Sequence, residues 1–198
     1  MMDRAEFWRI IDEVRESTSK VTDMPDRLKE FLKQKPLRDI LDFEEHYIAL
    51  FVQAYDARLW EAAALAMDGC GDDTFMDFRY WLIAQGRSVY EKVLKNPDSL
   101  AGLDLTGGDH GRPLLFYFGG IGAEAYREKA GLGDLDKLPV DYSICHEPNL
   151  KLLNRELLNC ATSKLSNEFP KLYAKYDERE KECERLRNAN PVFPPLID

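Results

Sequence analysis

Apolar side chains recur three and four positions apart along most of this chain, and that spacing decides what it can fold into. Phe7, Ile10, Ile11 and Val14 open the pattern, with charged residues between them. Leu28, Phe31 and Leu32 repeat it, as do Leu37, Ile40, Leu41, Ile48, Phe51, Val52 and Tyr55. Phe75, Phe78, Leu82, Val89 and Val93 continue it. A period near 3.6 gathers such residues on one helical face, whereas a half-buried strand alternates at a period of two. Strand-like stretches are confined to residues 114–118 and 139–144. The pattern predicts a mainly α protein. It would be a single compact helical domain of about seven or eight helices, with at most one or two short strands and a long C-terminal helix.

Local signals divide the helices. A helix over 3–16 precedes a polar linker at 17–23. Pro25 stands at a first-turn position, where its missing N–H does no harm. Residues 57–67 are alanine-rich and apolar nearly all round, which predicts a buried helix. Gly69, Cys70 and Gly71 end it. Asp72, Asp73 and Thr74 then read as N-caps of one long helix that runs to Asn96 and stops at Pro97. Residues 98–113 read as a Gly-rich loop, 123–129 as a short helix and 131–147 as irregular chain. Further helices start at Asn149 and near Phe169. The expected division is a helical domain over 1–168, a charged helix over 169–190 packed on it or protruding from it, and a Pro-rich tail over 191–198.

The length of 198 residues suits one domain. Lysine and arginine number 27 against 36 aspartate and glutamate, a net charge of −9. That balance argues against a nucleic-acid partner, because phosphate binding needs a basic surface. It favours a basic protein partner, drawn in by electrostatic steering. No apolar run is long enough for a membrane span, and no basic-then-apolar leader opens the chain. The expectation is therefore no membrane and a cytoplasmic location. The four cysteines, Cys70, Cys145, Cys160 and Cys183, have no CxxC spacing and read as free thiols. With His46, His110 and His146 as the three histidines, no ligand set for a metal is legible, and no cofactor is expected.

Four patterns invite a chemical reading. Gly120-x-Gly122-x-x-Ala125 follows the apolar run Leu114–Phe118, with Asp141 further on, in the manner of a dinucleotide fingerprint. Helices rather than strands precede it, so it reads as a Gly turn that admits a short helix to a crowded surface. Asp68, Asp72 and Asp73 form an acidic turn with Asp77 one helical turn on. The turn lacks the alternating ligands and closing glutamate of a calcium loop, and helix capping explains it better. Glu44 falls on an apolar stripe, and Arg79 and Gln85 sit among Phe78, Trp81, Leu82 and Ile83. Charges are rarely buried unless paired, which suggests a Glu44–Arg79 or Asp72–Arg79 bridge. The alternative is a polar pocket walled by Trp60 and Trp81, with Trp60, Asp72, Asp73, Arg79, Trp81, Gln85 and Glu44 as its ligand-binding candidates. No catalytic residue is nominated, because no nucleophile faces a base in the pattern. The fourth is the last helix, whose mixed charge leaves a narrow apolar stripe of Leu172, Tyr176, Cys183 and Leu186. That stripe docks on the body or pairs with a second copy in a homodimer.

Phe7-Trp8 with Ile10, then Tyr55 ahead of Leu59-Trp60-x-Ala62-Ala63, lead to a longer block. It reads Gly69-Cys70-Gly71-Asp72-Asp73-x-Phe75-x-x-Phe78-Arg79-x-Trp81-Leu82-Ile83-x-Gln85-Gly86. Together these residues resemble a bacterial domain-of-unknown-function family, DUF four-two-four-zero. The resemblance is best over residues 3–100, and Glu124-Ala125-Tyr126 extends it. It implies a bacterial-type origin and a soluble helical fold, and it implies no activity. Two functional readings follow: a protein-binding or regulatory module with an acidic surface, or an enzyme or small-ligand-binding protein with a pocket around Trp60, Asp73, Arg79 and Trp81.

Overall fold

A computed structural model describes residues 1–105, 119–133, 136–140 and 162–189. Among them the chain forms nine α-helices and no strand. The first six are α1 (Arg4–Ser17), α2 (Met24–Lys33), α3 (Leu37–Gln53), α4 (Ala57–Met67), α5 (Asp72–Ala84) and α6 (Arg87–Lys95). Then come α7 (Ile121–Ala130), α8 (Thr162–Glu168) and α9 (Pro170–Ala189). Short 3₁₀ helices lie at Val21–Asp23 and Pro97–Gly102. The second of these takes the start of the expected Gly-rich loop. The run Leu114–Phe118, the fingerprint acid Asp141, the helix expected from Asn149 and the tail 191–198 lie outside the described residues.

The stripes read from the sequence become one core. Phe7, Ile10 and Ile11 of α1, Leu28 and Leu32 of α2, and Phe75, Phe78 and Leu82 of α5 are fully buried in it. Each large apolar side chain so removed from water contributes about 1.5–3 kcal/mol. Asp3 and Asp56 start α1 and α4 by accepting the N–H groups of Glu6 and Leu59. Both pairings satisfy amides that have no partner inside the helix.

The long helix expected from Asp72 to Asn96 is two helices. Gly86 breaks it with φ at +87°, and a Cβ there would collide with the Asp12 carboxylate of α1. A glycine inside a helix costs only about 1 kcal/mol, so the apolar period runs through this break without marking it. The bend sets α6 against α3, where the Tyr90 hydroxyl donates to the Leu50 carbonyl oxygen at 2.6 Å. The expected caps of α5 also differ. Gly71 holds the N-cap position with extended backbone, and no side chain caps the helix. Asp72 and Asp73 stand in the first turn instead.

The glycine run before α7 has a packing role. A Cβ on Gly119 would lie 2.5 Å from the Tyr80 ring, and one on Gly122 would lie 2.5 Å from the Glu44 carboxylate. Only glycine lets α7 settle this closely on α3 and α5, as a crowded surface requires. Lys129 of α7 reaches across to α2, and its ammonium donates to the carbonyl oxygens of Lys33 and Lys35 at 2.8 and 2.6 Å. These cap the C-terminal end of α2 with a positive charge.

The first half of α9 docks on the body. Asp98, buried in the Pro97–Gly102 turn, accepts the backbone N–H groups of Lys171 and Leu172 at 3.0 and 2.9 Å. A carboxylate from a distant part of the chain thus caps this helix. Phe169 and Leu172 are buried, and Lys175 donates to the Ala101 carbonyl oxygen. Tyr176 and Cys183 are half-buried, and Leu186 is 60 % exposed. Asp98→Ala is expected to cost about 2 kcal/mol in urea unfolding and to speed amide exchange at Lys171 and Leu172. A change under about 0.5 kcal/mol would mean that the docking does not depend on this cap.

Candidate functional site

Residues 69–86 place a charge inside the core. Phe75 and Arg79 are one helical turn apart on α5 and share a face. Arg79 is 1 % exposed. Its guanidinium carbon lies 3.8 Å from the centre of the Phe51 ring, 4.7 Å from Tyr55 and 5.1 Å from Phe75. Nη1 donates to the Phe51 carbonyl oxygen at 3.3 Å. Guanidinium keeps its proton at any ordinary pH, so the charge stays and the ring faces answer it.

Glu44, 2 % exposed, lies beneath the first turn of α7. Tyr47, three residues on, is buried beside it. Its phenol is pushed well above the usual value, first by burial and then by Tyr80 and Glu44, against the opposing pull of Arg79. The structure therefore gathers Glu44, Tyr80 and Arg79 around one phenol.

Trp60 is fully buried and stacks on Phe75 with ring centres 4.7 Å apart and planes 9° from parallel. Its indole N–H donates to the Cys70 carbonyl oxygen at 2.7 Å. Trp81 is buried next to Phe78 at 5.6 Å. Gln85 donates its side-chain amide to the Trp81 carbonyl oxygen of its own helix at 3.3 Å. The candidates named from sequence thus separate. Trp60 and Arg79 meet at Phe75 and Tyr55, and the charges of Glu44 and Arg79 both act on the Tyr47 phenol. Asp72 and Asp73 are exposed, and Asp72 makes no ion pair with Arg79.

The turn between α4 and α5 is built over this core. Asp68 adopts the left-handed conformation at φ 57° and Gly69 follows at φ 103°. Trp60 holds the turn by its carbonyl at Cys70. Asp68, Asp72 and Asp73 are exposed, without a hydrogen-bond or ion-pair partner among the described residues. Asp72 and Asp73 stand at the positive end of the α5 dipole. Asp77 is 3 % exposed, and burial together with the nearby Asp73 pushes its carboxyl up to about 6. The sequence placed Asp77 one turn beyond the acidic turn; its i,i+4 spacing from Asp73 puts the two carboxyl groups on one face of α5. Among the described residues no group of three or more His, Cys, Asp or Glu side chains is placed to hold a metal ion.

A second concave feature had no local sequence signal. A cleft of about 570 Å³ opens between α1, α3, α4 and α6. Trp8, Leu50, Tyr90 and Pro97 line its apolar part. Arg4, Arg58, Arg87 and Lys95 line it with positive charge, beside Asp56 and Glu91. These cations come from three helices far apart in the chain, so no spacing rule could join them.

An all-helical body with this aromatic block around Arg79 defines a class rather than an activity. The family described as Protein of unknown function (DUF4240) matches residues 2–128, from ahead of α1 to late in α7. That is more than half of the chain, and the chain belongs to this family. No curated protein and no solved structure matches it. Among the described residues no helix is long and apolar enough to cross a membrane.

Two substitutions test the site's energetics. Arg79→Ala is expected to cost about 3 kcal/mol in urea unfolding, because it opens a cavity between three rings and removes their cation. Arg79→Lys should recover only part of this, since an ammonium does not stack as a planar guanidinium does. Asp77→Asn is expected to raise stability by about 1 kcal/mol at neutral pH. Burial disfavours the charged carboxylate, so folding is penalised wherever both the folded and unfolded chains are ionised there. The folded chain takes up the proton first, so the wild type gains stability as pH falls from about 6 towards about 4 and the difference between the two closes. A difference that stayed constant with pH would assign the effect to packing.

Proposed function

We propose that this protein is a protein-binding module that presents an acidic surface to a basic partner. The carrying observation is the turn at 68–73, with three exposed carboxylates that have no partner among the described residues. The turn is anchored to the core through Trp60, so binding it requires little ordering of the backbone. Unpaired surface carboxylates on a chain of net charge −9 accelerate encounter with a cationic partner. The Arg79 region supports this reading over a ligand pocket around Trp60, Asp73, Arg79 and Trp81. Phe51, Tyr55 and Phe75 already occupy the space about the guanidinium.

The test compares the wild type with Asp68→Asn/Asp72→Asn/Asp73→Asn in pull-downs at low and high salt, with captured proteins identified by mass spectrometry. Basic proteins held by the wild type at low salt should be released at high salt and missing from the triple variant. Equal capture by the triple variant would overturn the role of the turn. No capture by the wild type at either salt would overturn the binding-module reading.

A further inference from the structure

We infer that the cleft between α1, α3, α4 and α6 binds a small organic polyanion bearing phosphate or several carboxylates. The acidic turn plays no part in this inference. Four cations against two carboxylates give the cleft an excess of positive charge where the chain as a whole is acidic. Of the two carboxylates lining the cleft, Asp56 is engaged in capping α4, accepting the Leu59 N–H at 2.9 Å. Glu91 accepts from Arg87 Nε at 2.7 Å. Arg4 donates to the neutral amide oxygen of Gln53 at 2.7 Å, which leaves its charge unanswered. Arg58 and Lys95 have no hydrogen-bond or ion-pair partner among the described residues. Like charges drawn round one concavity repel each other, and an anion between them removes that cost.

The backbone adds to the same field. Arg4 is the first residue of α1, Arg58 lies in the first turn of α4, and Arg87 is the first residue of α6. Helix amino ends carry partial positive charge; Asp3 and Asp56 answer it at α1 and α4, whereas α6 has no side-chain cap on its free N–H groups. The cleft floor is fixed. Trp8 and Tyr90 are buried with ring centres 5.2 Å apart, and the Tyr90 hydroxyl is already engaged with Leu50. A volume of about 570 Å³ falls in the range of small-molecule pockets. Guanidinium forks match phosphate and carboxylate oxygens two at a time. The net charge of −9 opposes a long nucleic acid, so the anion that fits is compact.

The test titrates pyrophosphate and citrate into the full chain by calorimetry at low salt, with chloride matched for ionic strength. Saturable binding of pyrophosphate assigns a phosphate ligand, and saturable binding of citrate assigns a polycarboxylate; either supports the inference. Arg58→Gln/Lys95→Gln alters two exposed side chains and should keep the wild-type circular dichroism while weakening binding at least roughly tenfold. Lys20→Gln, exposed and outside the cleft, should bind as the wild type does. The inference is overturned if neither probe saturates, if the double variant binds normally, or if Lys20→Gln loses as much as the double variant. Saturable binding of hexaglutamate without either small probe would also overturn it and point to a peptide groove.

Discussion

A guanidinium cannot discharge by losing its proton, so placing Arg79 inside the core obliges everything around it to respond. Water is replaced by the faces of Phe51, Tyr55 and Phe75 and by the carbonyl oxygen of Phe51. Those groups come from α3, from the link into α4 and from α5, so one cation ties together the middle of the fold. Phe75 is shared, because its other neighbour is Trp60 of α4. Trp60 in turn holds the carbonyl of Cys70. A path of packed rings and one hydrogen bond therefore runs from a buried charge to an exposed acidic turn.

The same crowding governs α7. Glu44 and Tyr80 fill the surface onto which this helix descends, and Gly119 and Gly122 accommodate them by having no side chain. Lys29 and Lys33 of α2 face Glu128 of α7, and Lys129 returns the contact to the carbonyls at the end of α2. Exposed pairs of this kind contribute little each, but they fix which faces of α2 and α7 meet. The C-terminal helix is joined by a different device: Asp98 replaces a local cap and makes the start of α9 dependent on the body.

Charge is distributed unevenly over the result. Among the described residues, Asp68, Asp72 and Asp73 of the turn and Arg58 and Lys95 of the cleft have no hydrogen-bond or ion-pair partner. Net charge alone pointed to an acidic surface and said nothing of where cations gather. Folding draws the signs apart because the starts of α1, α4 and α6 bring Arg4, Arg58 and Arg87 to one cleft, although Asp3 and Asp56 cap only the first two of those helices. The proposed basic protein and compact anion would therefore approach different regions of the molecule.

Helix class, the core-facing stripes and the buried helix that carries Trp60 were legible in sequence, because each follows from local spacing, whereas Arg79 was left between a buried bridge and a polar pocket. The break at Gly86 was not, since one glycine costs too little to interrupt a periodic pattern, and its need appears only when Asp12 of α1 is in place. Capping by Gly71 rather than Asp72 or Asp73 was equally hidden, because several adjacent residues satisfied the same local rule. By itself the sequence determined that this chain folds into helices around an apolar, aromatic-rich core and marked Arg79 as a charge set in an apolar run. Only the tertiary structure decided that Arg79 is enclosed by three rings, that Asp98 caps a helix more than seventy residues away, and that Arg4, Arg58, Arg87 and Lys95 share a cleft. Periodicity is a property of neighbours along the chain, whereas enclosure, distant capping and convergence of charge depend on which helices meet.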